Sequence, residues 1–177
     1  MHFQASYVAE GKTHEVEVWR DGAVRLKRKT DANLETYVTK APKEVEWRMV
    51  VLDMNRKIRT DIDRTNLYRI GNFIDWFGLS HALSRPLGAY QLRAEKNVPA
   101  TEKAIAACRW YTFTTNGRES KICWSNNYRL PLMILGPDAQ VQWRITAVDT
   151  KAVAESVFAI HDQGFVRNNA NEDIRAD

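Results

Sequence analysis

The chain has 177 residues, which is enough for one domain with a substantial core, and no stretch rich in Pro, Gly or Ser divides it. Its 26 basic and 22 acidic residues give a formal net charge of +4 and alternate without a basic block, which argues against nucleic-acid binding. Since no apolar run approaches the ~18 residues of a membrane helix, we expect a single domain over residues 1–177 without a transmembrane segment.

The N-terminal part of the chain has the pattern of strands from its first residues. It opens directly into FQASYVAE, with no signal peptide in front. Residues Thr13–Lys29 predict a hairpin with a three-residue loop, Arg20–Gly22, whose glycine takes the left-handed position. One face would then be dry and the other wet, with Val18 opposite Val24, Val16 opposite Leu26, Glu17 opposite Arg25 and Glu15 opposite Lys27.

Three more strands are expected before the middle of the chain. Alternating apolar residues mark 34–40, 44–53 and 57–64, and Pro42, which cannot donate to a strand ladder, suits the turn between the first two. With the opening strands this makes about six, each following closely on the one before. Such short connections favour an antiparallel meander.

The stretch Asp63–Pro86 breaks the strand pattern. From Asn72 to Ser84 the apolar spacing predicts a helix of three to four turns, with apolar residues over more than half of its circumference. A helix this apolar is buried on two sides, covers a cavity, or offers its face to a ligand or partner. Its apolar residues are Phe73, Ile74, Trp76, Phe77, Leu79 and Leu83.

Strands resume after this helical insertion, which we place at about residues 64–86. A short edge strand around Tyr90 and Leu92 is expected first, and a polar tail over about residues 166–177 is expected to be frayed. Between them, a loop is predicted at 97–103 and strands at 105–114, 118–125, 129–135 and 140–149.

The count of strands predicts a mainly β fold. Nine to eleven antiparallel strands form a sheet that tends to curl, because each strand is twisted relative to the next. We therefore expect an open half-barrel, a strongly curled antiparallel sheet whose concave apolar face its own side chains cannot fill. The helix from Asn72 is apolar enough to cover that face, so we interpret it as a helical lid.

The two cysteines, Cys108 and Cys123, flank a predicted hairpin with Asn116 and Gly117 at its middle. Two registers of this hairpin place both cysteines on one face, directly opposed or diagonal, and allow a cross-strand disulfide. A three-residue loop would place them on opposite faces and forbid it. We favour the disulfide over two buried thiols, and with it an exported location.

Catalytic and metal-binding patterns are weak. The histidines are far apart and occur in no metal-ligand spacing, so no metal or other cofactor is expected. Ser80 precedes His81 directly, and adjacent residues on a helix are not expected to face each other, which argues against a Ser–His pair. Asp61 and Asp63 are interpreted as charge pairs on a wet strand face. We therefore expect no catalytic residue and a protein that is not an enzyme.

Tryptophan is frequent on the predicted strands, and two interpretations stay open. Aromatic residues dominate antiparallel cores, so these side chains could simply pack the core. Alternatively, several line a pocket whose broad apolar surfaces hold a lipid. The residues concerned are Trp47, Trp110, Trp124 and Trp143.

The order of elements resembles a known superfamily. A strand meander is interrupted by a lid helix, a late hairpin runs into Leu130–Leu132, and the last strand ends in VDTKAVAESVFAIHDQGF. This resembles the periplasmic lipoprotein carriers and outer-membrane lipoprotein receptors, the LolA/LolB-like superfamily. The resemblance implies a half-closed barrel capped by helices around an apolar cavity that takes up acyl chains. It also implies an arginine that latches the lid, for which Arg64 and Arg69 are both candidates.

These observations predict a non-enzymatic protein that binds or transports a hydrophobic ligand, a lipid or lipoprotein acyl chain, in the cell envelope. We expect it to be exported, in the periplasm or at the outer membrane, with its leader missing from this sequence. One alternative is an envelope scaffold that docks a protein partner through the helix at 72–84, and another is a hydrolase on the same fold. The predicted lid and cavity residues are Leu67, Tyr68, Ile70, Phe73, Trp76, Phe77, Leu79, Leu83, Trp47, Trp110 and Trp143.

Overall fold

The computed structural model describes residues 1–69, 76–81, 83, 86, 88–96 and 103–172, without the side chains of Tyr68 and Arg69. Twelve strands dominate it. They are β1 His2–Ala9, β2 Lys12–Asp21, β3 Arg25–Thr30, β4 Leu34–Lys40, β5 Trp47–Asp53, β6 Ile58–Asp63, β7 Tyr90–Glu95, β8 Arg109–Thr115, β9 Arg118–Ser125, β10 Leu130–Leu135, β11 Val141–Asp149 and β12 Val166–Asn169. The helices are α1 Arg64–Arg69 and α2 Trp76–His81, with a 3₁₀ turn at Glu155–Phe158.

The strands form one open sheet in the order β12-β6-β5-β4-β3-β2-β1-β11-β10-β9-β8-β7. The mainly β, open and largely antiparallel sheet is confirmed. The expected count of nine to eleven strands is too low, because the tail adds β12, which pairs parallel with β6. No helix in the described ranges is long and apolar enough to cross a membrane.

The chain divides into two compact units, which we describe one at a time. Unit 1 comprises residues 1–2, 16–76 and 149–177. Unit 2 comprises residues 3–15 and 77–148. Unit 1 therefore contains β3 to β6 and β12, whereas unit 2 contains β7 to β10.

In unit 1, the β2–β3 hairpin has a register different from the predicted one. Asp21 pairs with Arg25, so the three-residue loop is 22–24, two residues later than expected. The Arg25 guanidinium donates to the Asp21 carboxylate at 2.8 Å, which extends the ladder past the predicted turn. The predicted pairs are thus wrong, and those observed include Val16–Thr30, Glu17–Lys29, Val18–Arg28 and Trp19–Lys27.

The apolar face of unit 1 consists of the same residues in the predicted and the observed register. Moving a turn by two residues leaves every side chain on its original face, because side chains alternate with a period of two. Helix α1 lies against β5 and β6, and the Asp63 carboxylate caps it by accepting from the Asn66 backbone N–H at 2.9 Å. The buried apolar residues of this unit are Val16, Val18, Leu26, Tyr37, Val38, Trp47, Met49, Leu52, Ile62 and Leu67.

The C-terminal segment is tied down over the opposite face of unit 1. The 3₁₀ turn lies beside β3, where the Arg25 guanidinium stands 4.8 Å from the Phe158 ring centroid. Further on, Arg59 donates to Asp162 at 2.7 Å. The chain then adds β12 to the edge of β6, with the Val166 N–H donating to the Lys57 carbonyl at 2.8 Å. The predicted frayed tail is therefore a strand at its start, while residues 173–177 lie outside the described ranges.

In unit 2, the most deeply buried strand is β10. Leu130, Pro131, Leu132, Met133 and Leu135 are all buried, although side chains alternate between the two faces of a strand. Both faces of the sheet are therefore shielded from solvent at this strand. Exposure rises toward β7, where five of the six residues are exposed.

The β8–β9 hairpin of unit 2 confirms the disulfide prediction. Thr115 pairs with Arg118, which leaves a two-residue turn of Asn116 and Gly117, both at positive φ. Cys123 pairs with Trp110, so Cys108 lies diagonal to it on the same face. The two cysteines form a disulfide with a Cα–Cα distance of 5.4 Å.

The predicted helix at 72–84 lies only partly within the described residues. Trp76–His81 is helical as expected and Leu83 is not helical, while residues 72–75, 82 and 84 lie outside the described ranges. Ile70 and Phe73 lie outside the described ranges. A helical region is present where expected, but the structure does not show it as a lid.

Candidate functional site

An aromatic surface runs across one face of β7, β8 and β9 in unit 2. The pairs Leu92–Phe113, Tyr111–Ile122 and Arg109–Trp124 place these residues on a common face. We call this the aromatic surface and define it by Phe77, His81, Tyr90, Leu92, Tyr111, Phe113 and Trp124. Tyr90 packs beside Phe113 with ring centroids 5.7 Å apart, and the Arg109 guanidinium stands 5.9 Å from the Tyr111 centroid.

Helix α2 joins this surface through a stack of three rings. The Phe77 and His81 rings lie 4.2 Å apart at an interplanar angle of 17°. The His81 ring in turn lies 6.4 Å from the indole of Trp124. A continuous layer of π-systems therefore extends from the helix onto the sheet.

The aromatic surface is partly open to solvent. Tyr90 is 56% exposed and Leu92 is 55% exposed. Phe77, Tyr111 and Phe113 are half-buried. Partly exposed aromatic and aliphatic side chains grouped on one face form an apolar patch of the kind that often marks a binding site.

Ser80 and His81 lie in contact, so the expectation that they cannot pair is wrong. Ser80 Oγ is 2.7 Å from His81 Nδ1, which is also 3.0 Å from the Phe77 carbonyl oxygen. A carbonyl oxygen can only accept, so this contact requires the proton on Nδ1. That tautomer cannot take a proton from Ser80 through Nδ1, and Ser80 is 1% exposed. The pair holds the ring of His81 in place and does not activate a nucleophile.

The carboxylates singled out in the sequence also have structural partners. Asp61 receives two hydrogen bonds from Arg59, at 2.6 and 2.8 Å. Asp63 caps α1, and its N–H donates to Asn171 Oδ1 at 2.8 Å. Arg64, a candidate lid latch, donates to Glu46 at 3.0 Å. Among the described residues, no group of His, Cys, Asp and Glu is arranged to hold a metal ion.

The predicted cavity residues are distributed over different environments. Trp47 and Leu67 belong to the core of unit 1, at 2% and 4% exposure. Trp143 is buried in unit 2, where its Nε1 donates to the Pro131 carbonyl at 2.8 Å. Trp110 pairs with Cys123 and so faces away from the aromatic surface. Trp76, Phe77, Leu79 and Leu83 are half-buried, and the Tyr68 side chain, Ile70 and Phe73 lie outside the described residues.

Unit 2 also has a cleft of about 210 Å³, formed by parts of β1, β2 and β11. It is smaller than the roughly 300–1,000 Å³ of typical ligand pockets. None of the predicted cavity residues lines it, and three of its six lining residues, Ser6, Thr13 and Arg144, are polar, which does not suit an acyl chain. Its lining residues are Ser6, Tyr7, Val8, Thr13, Val141 and Arg144.

Most of the aromatic surface was missed as a site in the sequence. Tyr90 and Leu92 were expected to form an edge strand, without a role in binding. The available signal was that Tyr90 and Leu92 are two positions apart, as are Tyr111 and Phe113, so that each pair lies on one face of its strand. Only the strand register shows that both pairs share one face.

Comparisons with known proteins do not assign the chain to a family. No protein-family model matches it, and no curated protein is significantly similar to it. Among solved structures, the chain is similar to PNGF-II with a TM-score of 0.48 and 9% sequence identity. That match covers 98% of this chain and 32% of PNGF-II, so the chain spans about a third of that protein. A likeness at this level identifies neither fold nor function.

Proposed function

We propose that the protein is a non-enzymatic binder or carrier of a hydrophobic ligand, a lipid or lipoprotein acyl chain, in the cell envelope. The observation that carries the proposal is the ring stack of Phe77, His81 and Trp124 beside the exposed side chains of Tyr90 and Leu92. Rings and aliphatic groups fixed in one layer offer contact area without demanding a particular hydrogen-bond pattern. An acyl chain, which has no polar groups to match, suits such a layer.

Burial of apolar area would supply the binding free energy. Each 100 Å² of apolar surface removed from water contributes about 2.5 kcal/mol before the costs of association. Because the rings are already held by their neighbours, little side-chain entropy is lost on binding. The expected lid and curled sheet belong to this same proposal, as does the likeness to LolA/LolB-like carriers.

The cysteine pair supports the proposed location. Disulfides persist in oxidising compartments and are rare in the cytosol of mesophiles. The Cys108–Cys123 bond therefore fits an exported protein. Assignment to the periplasm or the outer membrane is part of the proposal.

The test is to look for a bound ligand and then to disrupt the ring stack. Native mass spectrometry and lipid extraction of freshly purified protein should detect a lipid, and the protein should bind a fluorescent fatty acid that unlabelled fatty acid displaces. Phe77→Asp places a charge in the stack and should weaken the binding of this probe by at least tenfold. Val45→Asp is the matched control, because Val45 is a 70% exposed apolar residue of unit 1.

Circular dichroism should show that both variants remain folded. A folded Phe77→Asp protein that binds the probe like the wild type would refute the role of the stack. Absence of both an extracted lipid and probe binding would refute the carrier function itself.

A second candidate is an envelope module that docks a protein partner through α2. It is favoured by the half-buried Trp76, Phe77 and Leu79, which occupy three positions of a six-residue helix. In that case the protein would carry no lipid, and Phe77→Asp would weaken the complex with the partner. The third candidate, a hydrolase, gains no support from Ser80 and His81.

A further inference from the structure

Strand β7 is the last strand of the sheet on the side of unit 2. Among the described residues it pairs with β8 alone, so one of its edges presents backbone N–H and C=O groups that no described strand satisfies. Such an edge is a template for pairing with another strand. The row of backbone groups therefore defines the kind of partner that fits, which is a chain in extended conformation.

The side chains of β7 differ on its two faces. Tyr90, Leu92 and Ala94 lie on the face of the aromatic surface, and the first two are more than half exposed. Gln91 and Arg93 lie on the other face, where the Arg93 guanidinium is 2.8 Å from the Glu95 carboxylate. The charge of Arg93 is thus balanced within its own strand.

We propose that β7 pairs antiparallel with β7 of a second copy of this chain, about a two-fold axis at Leu92. A two-fold axis perpendicular to the sheet keeps each face continuous, so that residues equally distant from the axis stand opposite each other. Leu92 then meets Leu92 of the second copy, and Tyr90 meets its Ala94. On the other face Gln91 meets Arg93. A large side chain is thereby placed against a small one, and no two like charges stand directly opposite.

The neighbouring two-fold registers are less favourable. An axis at Arg93 would place two guanidinium groups directly opposite each other, which is destabilising. An axis at Ala94 would pair Arg93 with Glu95 but would oppose Leu92 to Lys96 and leave Tyr90 beyond the paired strands. An axis at Gln91 would also cover Tyr90 and Leu92, but it would pair only residues 90–92 of the strand, whereas the axis at Leu92 covers both within five paired residues, 90–94.

The other end of the sheet is a poorer candidate for self-association. Strand β12 has four residues against six in β7, and its second half is Asn168 and Asn169. Its exposed apolar residue, Val166, stands alone at 69% exposure. A strand this short and polar is a typical protected edge, and it provides a matched control.

The first experiment measures the mass of the protein in solution. Sedimentation equilibrium of the wild type at tens of micromolar should give twice the chain mass of 20.4 kDa. Leu92→Lys places two like charges at the axis and should shift the protein to a monomer, whereas Val166→Lys should leave the dimer intact. A monomeric wild type over the whole concentration range, or a dimer that persists in Leu92→Lys, would overturn the proposal.

The second experiment tests the register. Leu92→Cys should form an intermolecular disulfide under mild oxidation, because residues on the axis bring their Cα atoms within about 4.5–5.5 Å. Non-reducing electrophoresis should show this cross-linked dimer, and Val166→Cys should give none. Equal cross-linking of both variants would indicate random collision and reject the interface. Cross-linking of Ala94→Cys in place of Leu92→Cys would reject the axis at Leu92.

Discussion

A partly buried charge network shows how individual residues of unit 1 depart from simple alternation. Lys27 Nζ lies 3.3 Å from the Glu35 carboxylate, and both side chains are 14% exposed. The same ammonium stands 5.5 Å from the Trp19 ring and 5.0 Å from the Tyr37 ring. The face that alternation predicts to be wet therefore contains a cation held between two aromatic rings and a carboxylate.

The hydrogen bond between Tyr37 and Glu35, together with burial, shifts the pKa values of both groups. The Tyr37 hydroxyl donates to the carboxylate at 2.6 Å. Burial raises the pKa of Glu35, but the bond from Tyr37 and the charge of Lys27 outweigh it, so the pKa lies below its ordinary value. For Tyr37, burial and the adjacent carboxylate both raise the pKa.

We predict that Glu35→Gln lowers stability at neutral pH by about 1–3 kcal/mol, because charged hydrogen bonds are lost. The lowered pKa of Glu35 means that its contribution is full above the ordinary carboxyl range near pH 4.5 and is lost as pH falls through the folded-state pKa. The variant should therefore show a flatter decline of unfolding free energy between about pH 5 and pH 2. Urea unfolding across this range measures both effects, with the exposed Glu44→Gln as control.

At the scale of elements, the two hairpins show what a sequence can and cannot determine. The sequence predicts a hairpin with Asn116 and Gly117 at its middle and leaves its register open. In the structure both residues have positive φ, which a two-residue hairpin turn demands. In the β2–β3 hairpin, Gly22 suits either the first or the last position of a three-residue loop. Apolar alternation cannot distinguish the predicted register from the observed one, because both keep every side chain on the same face. The ion pair between Asp21 and Arg25, which extends the ladder, favours the observed register.

The candidate site was harder to predict than the strands. A helix was expected over 72–84, and the stretch Trp76–His81 is helical, because apolar spacing reports helices directly. The aromatic surface depends on strands distant in sequence, and its assembly requires the pairing of β7 with β8 and of β8 with β9. The contact between Ser80 and His81 also escaped prediction, since the rule that adjacent helical residues diverge ignores a ring that turns back to the Phe77 carbonyl.

We predict that replacing both cysteines, Cys108→Ala with Cys123→Ala, lowers the free energy of unfolding by about 2–4 kcal/mol. The disulfide closes a loop with a sequence separation of 15 residues. Its removal increases the conformational entropy of the unfolded chain, which lowers the free energy of unfolding by roughly 3 kcal/mol in the loop-entropy description. Equilibrium unfolding in urea measures the change. Intact mass of the wild type should be lower by two hydrogens than that of the reduced protein, and identical masses would contradict the bond.

At the scale of the whole molecule, the C-terminal segment completes one end of the sheet. The Asp162 carboxylate accepts from Arg59 at 2.7 Å and from Arg167 at 3.3 Å, which links β6, the segment and β12. The bond from Arg59 is the main cause of the lowered pKa of Asp162. The composition of this segment predicts a polar tail, because nothing in the local sequence VRNN indicates a strand that pairs in parallel.

We predict that Asp162→Ala loosens β12 while leaving the rest of the sheet intact. Arg59 keeps Asp61 as a partner, but Arg167 loses the carboxylate that draws it toward β6. Hydrogen exchange should show faster exchange for Val166–Asn169 and unchanged protection in the β8–β9 hairpin. Asp138→Ala, in the turn before β11, is the control, and equal loss of protection in both variants would contradict the role of Asp162.

The parallel pairing of β12 with β6 delays the completion of the sheet during protein synthesis. Val166 pairs with Ile58, and the two residues are about a hundred positions apart in the sequence. The outer edge of β6 therefore stays unpaired until the ribosome has synthesised β12. At a synthesis rate of ~5–20 residues per second, that edge stays unpaired for roughly 5–20 s. During this interval strands can add to the sheet on the side of β7, while the outer edge of β6 has no partner strand. Pairing of β12 with β6 therefore follows the synthesis of every other strand of the sheet.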